Sequence, residues 1–229
     1  QQDPSQWMPA ADSVAMNAPQ AVEKPNRKPD PQPRRKQRTR RFPNLSHLQL
    51  GHVDELFSHG VLLMGREEYE DAATIFTEVL KHDPSDGEAH QHRGEARLAM
   101  GDFSGAVSDC EAALAADDGD LAALLIHAEA SLHLGDDATA AKMVKRAFRE
   151  DRENAEASLL QGKIAARAGD YRQAIQAFRA ALSRDAFLAD AHLWLADCLD
   201  NTNASEQAAI HRQRAYHLDP GLESDRPAF

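Results

Sequence analysis

Histidine, cysteine and paired carboxylates are the side chains of this 229-residue chain with the means to hold a metal or work on a substrate, and their spacing argues against both uses. A metal-binding helix offers two imidazoles one turn apart, but none of the eleven histidines has another four residues on. His90 and His92, two apart, point to different helix faces. Asp117-Asp118 and Asp136-Asp137 fall where turns are expected, and there aspartate caps helices and stays solvated. No glycine-rich cluster could cradle a phosphate. The residues therefore predict no catalytic site, no metal site and no cofactor.

One other stretch carries charge that could act. Arg34-Arg-Lys-Gln-Arg-Thr-Arg-Arg41 sets six cations (Arg34, Arg35, Lys36, Arg38, Arg40 and Arg41) in eight residues. Such runs are read by charge as nucleic-acid, anionic-membrane or nuclear-import patches. Aromatics are not interleaved, and Phe42 alone cannot stack a strand of bases. Residues 1–52 carry a net charge of +5 and residues 53–229 one of −16, which together make the −11 of the whole chain. A molecule this acidic repels phosphate everywhere except along the basic run, which disfavours nucleic acid as the partner. Eight of the eleven prolines lie in the first 50 residues. That segment is too poor in apolar side chains to offset the entropy of ordering, so residues 1–43 are expected to form a disordered basic arm. No run of 18 apolar residues exists to span a membrane.

The elements that position the remaining side chains follow a ruler of 34 residues laid from Val53. Its twentieth place reads Ala72, Ala106, Ala140, Ala174 and Ala208, without insertion or deletion. Its eighth reads Gly60, Gly94, Ala128, Gly162 and Ala196, and its twenty-seventh Val79, Ala113, Ala147, Ala181 and Ala215. Residues this small at fixed places of a helical period mark close helix crossings. A fixed period of this length marks a stacked array in which each unit buries its apolar face against its neighbours. Large apolar residues at place 28 (Leu80, Leu114, Phe148, Leu182, Tyr216) supply the packing between units. Each unit reads as two amphipathic helices, in the first unit from Asp54 to Arg66 and from Tyr69 to His82. Gly101-Asp102-Phe103 and Gly169-Asp170-Tyr171 fill the turn between them, and Gly135-Asp136-Asp137 keeps two of those three residues. Pro84 and Pro220 close the first and fifth units, since proline stops the preceding helix. The fifth unit departs from the pattern with Asn203-Ala204-Ser205 in its turn and Arg212 at place 24, a charge suited to a solvated end face.

A small residue at place 8, Gly-Asp-aromatic at 15 to 17, Ala at 20, an aromatic at 24 (Phe76 and Phe178) and Pro at 32 resemble the tetratricopeptide family over Val53 to Leu222. The resemblance implies an all-α fold, a right-handed α-solenoid of antiparallel helix pairs behind the disordered arm. Its five repeats would be 53–86, 87–120, 121–154, 155–188 and 189–222, within an array over 44–222, followed by a tail over 223–229. In that family the first helix of each unit lines an inner groove. Carried onto this chain, the groove has an apolar floor of Phe57, Ile126, Leu160 and Trp194. Asp54, Glu88, Glu95, Glu129 and Asp197 flank it, and Lys163 and Arg167 are its main cations. One subgroup of the family grips the C-terminal carboxylate of chaperones with lysine, asparagine and arginine. This chain has Phe57, Val61, His92, Ala122 and Ile126 at those places, so no residue of that clamp matches.

Fold and groove together predict a non-catalytic interaction scaffold or adaptor. Its partner is a protein or peptide with basic and apolar side chains, anchored on Trp194, Leu160 and Ile126 and paired with Glu95, Glu129 and Asp197. The scaffold could serve in a multi-subunit assembly or self-associate through its end faces. The alternative is a nucleic-acid or anionic-surface binder acting through the arm, with the repeats as a recruitment module. Cys110 and Cys198 lie three units apart, beyond the roughly 7 Å Cα limit of a disulfide. Two unpaired thiols favour a reducing compartment and so the cytoplasm. An exported or periplasmic chain, with a leader removed, is the alternative that a first residue other than Met leaves open.

Overall fold

Apolar residues three and four apart, broken every half-repeat by turn formers, fold the described residues into ten α-helices and no strand. They are α1 (His47–Met64), α2 (Tyr69–His82), α3 (Gly87–Ala99), α4 (Phe103–Ala116), α5 (Leu121–His133), α6 (Asp137–Glu150), α7 (Ala155–Arg167), α8 (Tyr171–Arg184), α9 (Ala189–Asn201) and α10 (Ser205–Leu218), with a 3-10 turn over Pro220–Glu223. This computed structural model describes residues 47–223, with side chains from 52 to 222. The arm over 1–43, with its cations Arg34 to Arg41, and the residues after 223 lie outside the described residues.

At place 15 of every unit the backbone enters the left-handed region. Glycine holds it three times, Gly101, Gly135 and Gly169, at φ 79°, 80° and 77°. The next residue, Asp102, Asp136 or Asp170, caps the second helix by accepting from the backbone N–H three residues on, at 3.0 Å each time. The Gly-Asp pair therefore does two jobs, ending one helix without a Cβ clash and starting the next with a satisfied donor. The end units lack both devices. Glu67 and Asn203 take the left-handed place at φ 63° and 61°, and Glu68 and Ala204 make no side-chain cap. Replacing Glu67-Glu68 by Gly-Asp should therefore stabilise the first unit by about 1–2 kcal/mol, from relieved backbone strain and a gained cap. Urea unfolding followed by circular dichroism measures it, and an unchanged midpoint would refute this account of the turn.

The first helices of the second, third and fourth units are capped from place 34 of the unit before, while Leu188 before the fifth makes no side-chain cap. Asp86, Asp120 and Asn154 accept from backbone N–H groups there at 2.8 to 3.2 Å. The equivalent of that cap before the first unit is His52, which does not stop a helix. Accordingly α1 begins at His47, seven residues before the Asp54 that periodicity alone marks as its start.

Within each unit the helices cross at the small residues. All five alanines at place 20 are fully buried, as are Val79, Ala147, Ala181 and Ala215 at place 27. Places 8 and 24 are matched to each other. A Cβ on Gly60 would lie 2.8 Å from the Phe76 ring, and one on Gly162 would lie 2.4 Å from the Phe178 ring. Where place 24 is smaller or polar, at Val144 and Arg212, place 8 carries alanine, Ala128 and Ala196, whereas the second unit pairs Cys110 with Gly94, which Asp109 also crowds. Arg212, at the aromatic's place in the last unit, donates to Asp197 at 3.0 Å and Asp200 at 2.7 Å. The two cysteines are buried and unbridged, and burial pushes their thiols up to about 12 for Cys110 and about 11 for Cys198, which leaves them unreactive.

Candidate functional site

Successive first helices touch one another, α1 with α3, α3 with α5, α5 with α7 and α7 with α9, whereas the second helices make no such contacts among the described residues. The odd-numbered helices therefore crowd the inner side of the curve, and their places 2, 5, 6 and 9 line a groove.

At its N-terminal end Phe57 is buried against Phe76, with ring centroids 5.5 Å apart, and both rings pack on His92, at 5.6 and 5.4 Å. His92 holds Nδ1 3.5 Å from the Glu95 carboxylate. Farther along, Ile126 is 9% exposed and forms the middle of the floor. Leu160 is 1% exposed and packed with Leu124, Leu125 and Val144. It is part of the core and presents almost no surface to a ligand. Trp194 is half-buried on α9, 6.4 Å from the Phe178 ring. Asp54 and Glu88 lie toward the rim, and both are exposed.

Charge in the groove is paired unevenly. Lys163 lies between Glu129 at 3.4 Å and Asp190 at 3.3 Å, one period back and one unit ahead. Arg167 donates to Asp137 at 2.9 Å, and Asp197 receives Arg212. Both groove cations are thus engaged by the array's own carboxylates. Glu156, at place 2 of the fourth unit, has no ion pair among the described residues. The side chain is exposed, and its carboxyl is pushed above the usual range by partial loss of solvent, then by the Glu129 charge, with Lys163 opposing and Glu95 adding a smaller push. Asp190 and Glu156 stand at place 2 of their units, among the places that line the groove in the family this sequence resembles. Place 2 named them by register, but only the folded array shows which carboxylates Lys163 neutralises.

A second polar cluster, which the sequence reading missed, lies inside the second unit. The Asp109 side chain is 3% exposed and receives four donors. His90 Nδ1 lies 3.1 Å away, Arg93 donates through Nε at 2.9 Å and Nη2 at 2.6 Å, and Arg97 donates through Nη1 at 2.8 Å. Burial alone would raise the Asp109 carboxyl, but the His90 and Arg93 bonds and the two guanidinium charges outweigh it and hold it below the usual range. His90 is raised in turn, chiefly by its bond to Asp109. The cluster joins α3 to α4 and faces no opening, so its role is structural.

Among the described residues no group of three histidine, cysteine or acidic side chains is placed to hold a metal, and no helix is long and apolar enough to cross a membrane.

Among curated proteins no sequence matches the chain. Solved structures match its fold. A thermophilic tetratricopeptide protein of Thermus thermophilus, TTC0263, superposes with a TM-score of 0.65 at 21% identity, over 75% of this chain and 94% of that one. YrrB, described as having an unusual peptide-binding site, gives 0.54 at 21% identity, over 72% and 85%. The Cut9–Hcn1 hetero-tetramer of the APC/C gives 0.70 at 16% identity, over 73% of this chain and 34% of that one. Two tetratricopeptide repeat models match the sequence, one over residues 57–120 and 159–223 and the other over 97–164. With helix pairs, left-handed turns and matched crossings repeating at 34 residues under those matches, the chain belongs to the tetratricopeptide repeat family.

Proposed function

We propose that this chain is a non-catalytic scaffold whose groove takes a basic, amphipathic segment of a partner protein. Members of its family mediate protein–protein interactions and build assemblies. The observation that carries the finer reading is the uneven pairing of charge. Lys163 and Arg167 are neutralised within the array, while Glu156 keeps an unpaired carboxylate beside Glu129 and Glu95. A lysine or arginine brought there would gain a charge-assisted bond to Glu156 beside two further carboxylates. Trp194 and Ile126 supply apolar contacts on the same floor, the type of residue that dominates binding energy. Neighbours of the same fold include a peptide-binding protein and a subunit of a large complex, which is the company this reading expects.

The test is an array of extended peptides of varied charge, each titrated against the full chain. Basic peptides with spaced leucines or aromatics should bind, and acidic ones should not. Trp194→Ala should weaken the best binder by about 1–4 kcal/mol with an unchanged melting curve. Glu156→Gln should weaken the basic peptides alone. Acidic and basic peptides bound equally well, or binding indifferent to Trp194→Ala, would overturn the proposal. If polyanions bind instead, with a steep salt dependence that disappears when the cations from Arg34 to Arg41 are replaced by glutamine, the nucleic-acid reading takes its place.

A further inference from the structure

Places 4 and 23 of the repeat meet across a helix pair, and in two units, three repeats apart, both carry titratable side chains. The second unit has His90 and Asp109, and the fifth has His192 and His211. In both, Nε2–H of the first residue donates to a carbonyl six residues earlier, Pro84 at 2.9 Å or Ala186 at 3.3 Å. That leaves Nδ1 for the partner, and the two partners differ. His90 meets a carboxylate, so its Nδ1 also carries a proton and the ring is a cation held on both sides. His192 meets Nδ1 of His211 at 2.9 Å, with the rings stacked at 5.1 Å. Only one proton fits between those nitrogens. The bonding network assigns it to His211, with His192 the neutral acceptor.

The charges acting on this pair are Arg179 from α8 and Arg214 from α10, both positive. Arg179 donates to Gln207 at 3.4 Å, and the Asp185 carboxylate that ends α8 accepts the Phe187 N–H at 2.8 Å. A second proton would thus set two imidazolium rings in contact amid further cations. The helix they join is the least supported of the ten, since α10 packs on α9 and on the turn that follows it, with no further helix outside it among the described residues.

We propose that the His192–His211 seam is an acid-labile joint, at which protonation of both rings releases α10 from α9 while the preceding units stay folded. The direction follows from linkage. Burial first holds both rings below the ordinary histidine value of 6.5; for His192 the Ala186 carbonyl bond opposes it and Arg214 adds to it, and for His211 the His192, Arg179 and Arg214 charges add to it. Unfolding this unit therefore takes up protons, so its stability is whole above 6.5 and falls as the pH drops below it. The second unit answers the opposite way, because His90 is raised and keeps its charge in mild acid. His127 on α5 is also lowered, by burial first. It lies between helices that are packed on both sides, so its release must break two interfaces where α10 breaks one.

Hydrogen exchange of the full chain, followed by peptide mass spectrometry at about pH 7 and about pH 5, tests this. Protection of α10 should fall by about tenfold or more, with α3 and α4 unchanged. Two variants should remove the response. His211→Gln leaves a neutral partner, and His211→Asp recreates the pair of the second unit. An α10 whose protection is the same at both values, a loss spread evenly over all helices, or variants that keep the response would each overturn the proposal.

Discussion

Replacing Asp109 by alanine is expected to cost about 3–5 kcal/mol. Three cations converge on this carboxylate in a space with almost no access to water. Removing it leaves the Arg93 guanidinium and the His90 ring without an anion, and Arg97 with only the Asp102 carboxylate at 3.6 Å. The charges did not have to be there for the fold to form. Other units fill the same four places with Leu124, Leu195, Leu199 and Met143 among their residues. The combined variant His90→Leu, Arg93→Leu, Arg97→Leu and Asp109→Met should therefore recover most of the loss, since a buried ion cluster and an apolar replacement of similar volume are often close in stability. Urea unfolding of the two variants beside the parent chain decides it. A single variant as stable as the parent would show the cluster to be open to solvent.

Gly162→Ala should cost about 1–3 kcal/mol although it adds one methyl group to a residue that is already helical. The added carbon would sit 2.4 Å from the Phe178 ring, and that fully buried ring has nowhere to move. Phe178→Val alone should also destabilise, by less than the roughly 3–5 kcal/mol of a Phe→Ala truncation, since it leaves a smaller cavity. Made together, the two changes copy the Ala128–Val144 pair of the third unit, and their costs should fall short of their sum by about 1–2 kcal/mol. Additive costs from the four melting curves would mean that places 8 and 24 are not coupled.

How much of this was legible in the sequence depends on the range of the interaction. The Gly-Asp turns, the alanine crossings and the helix pairs are set by contacts within one 34-residue period, so the ruler located them. At the start of α1 the helix runs back to His47, beyond the first period, where the ruler has no earlier unit to set a boundary. The groove was legible in outline only. Ile126, Leu160 and Trp194 share place 6, yet the first two are buried and only Trp194 keeps a partly exposed face. A position number carries no such information. The pairing of Lys163 with Glu129 repeats place 9 at one period, and so had a sequence signal. Its bond to Asp190 depends on how far α7 and α9 approach. The His90–Asp109 and His192–His211 pairs were visible as titratable residues recurring at places 4 and 23, once those places are known to touch.

The most enclosed helix is α5, with nine of its thirteen residues buried, and it lies in the middle unit. Its contacts reach no farther than the adjoining units. The chain entropy lost in assembling that centre is therefore small, because no distant segments have to find one another first. The end units, with strained or uncapped turns at Glu67 and Asn203, cannot easily start the process alone. Folding should thus begin around the third unit and spread outward in both directions, and a chain emerging during synthesis would hold its first unit unfinished until the sequence through Glu150 has appeared.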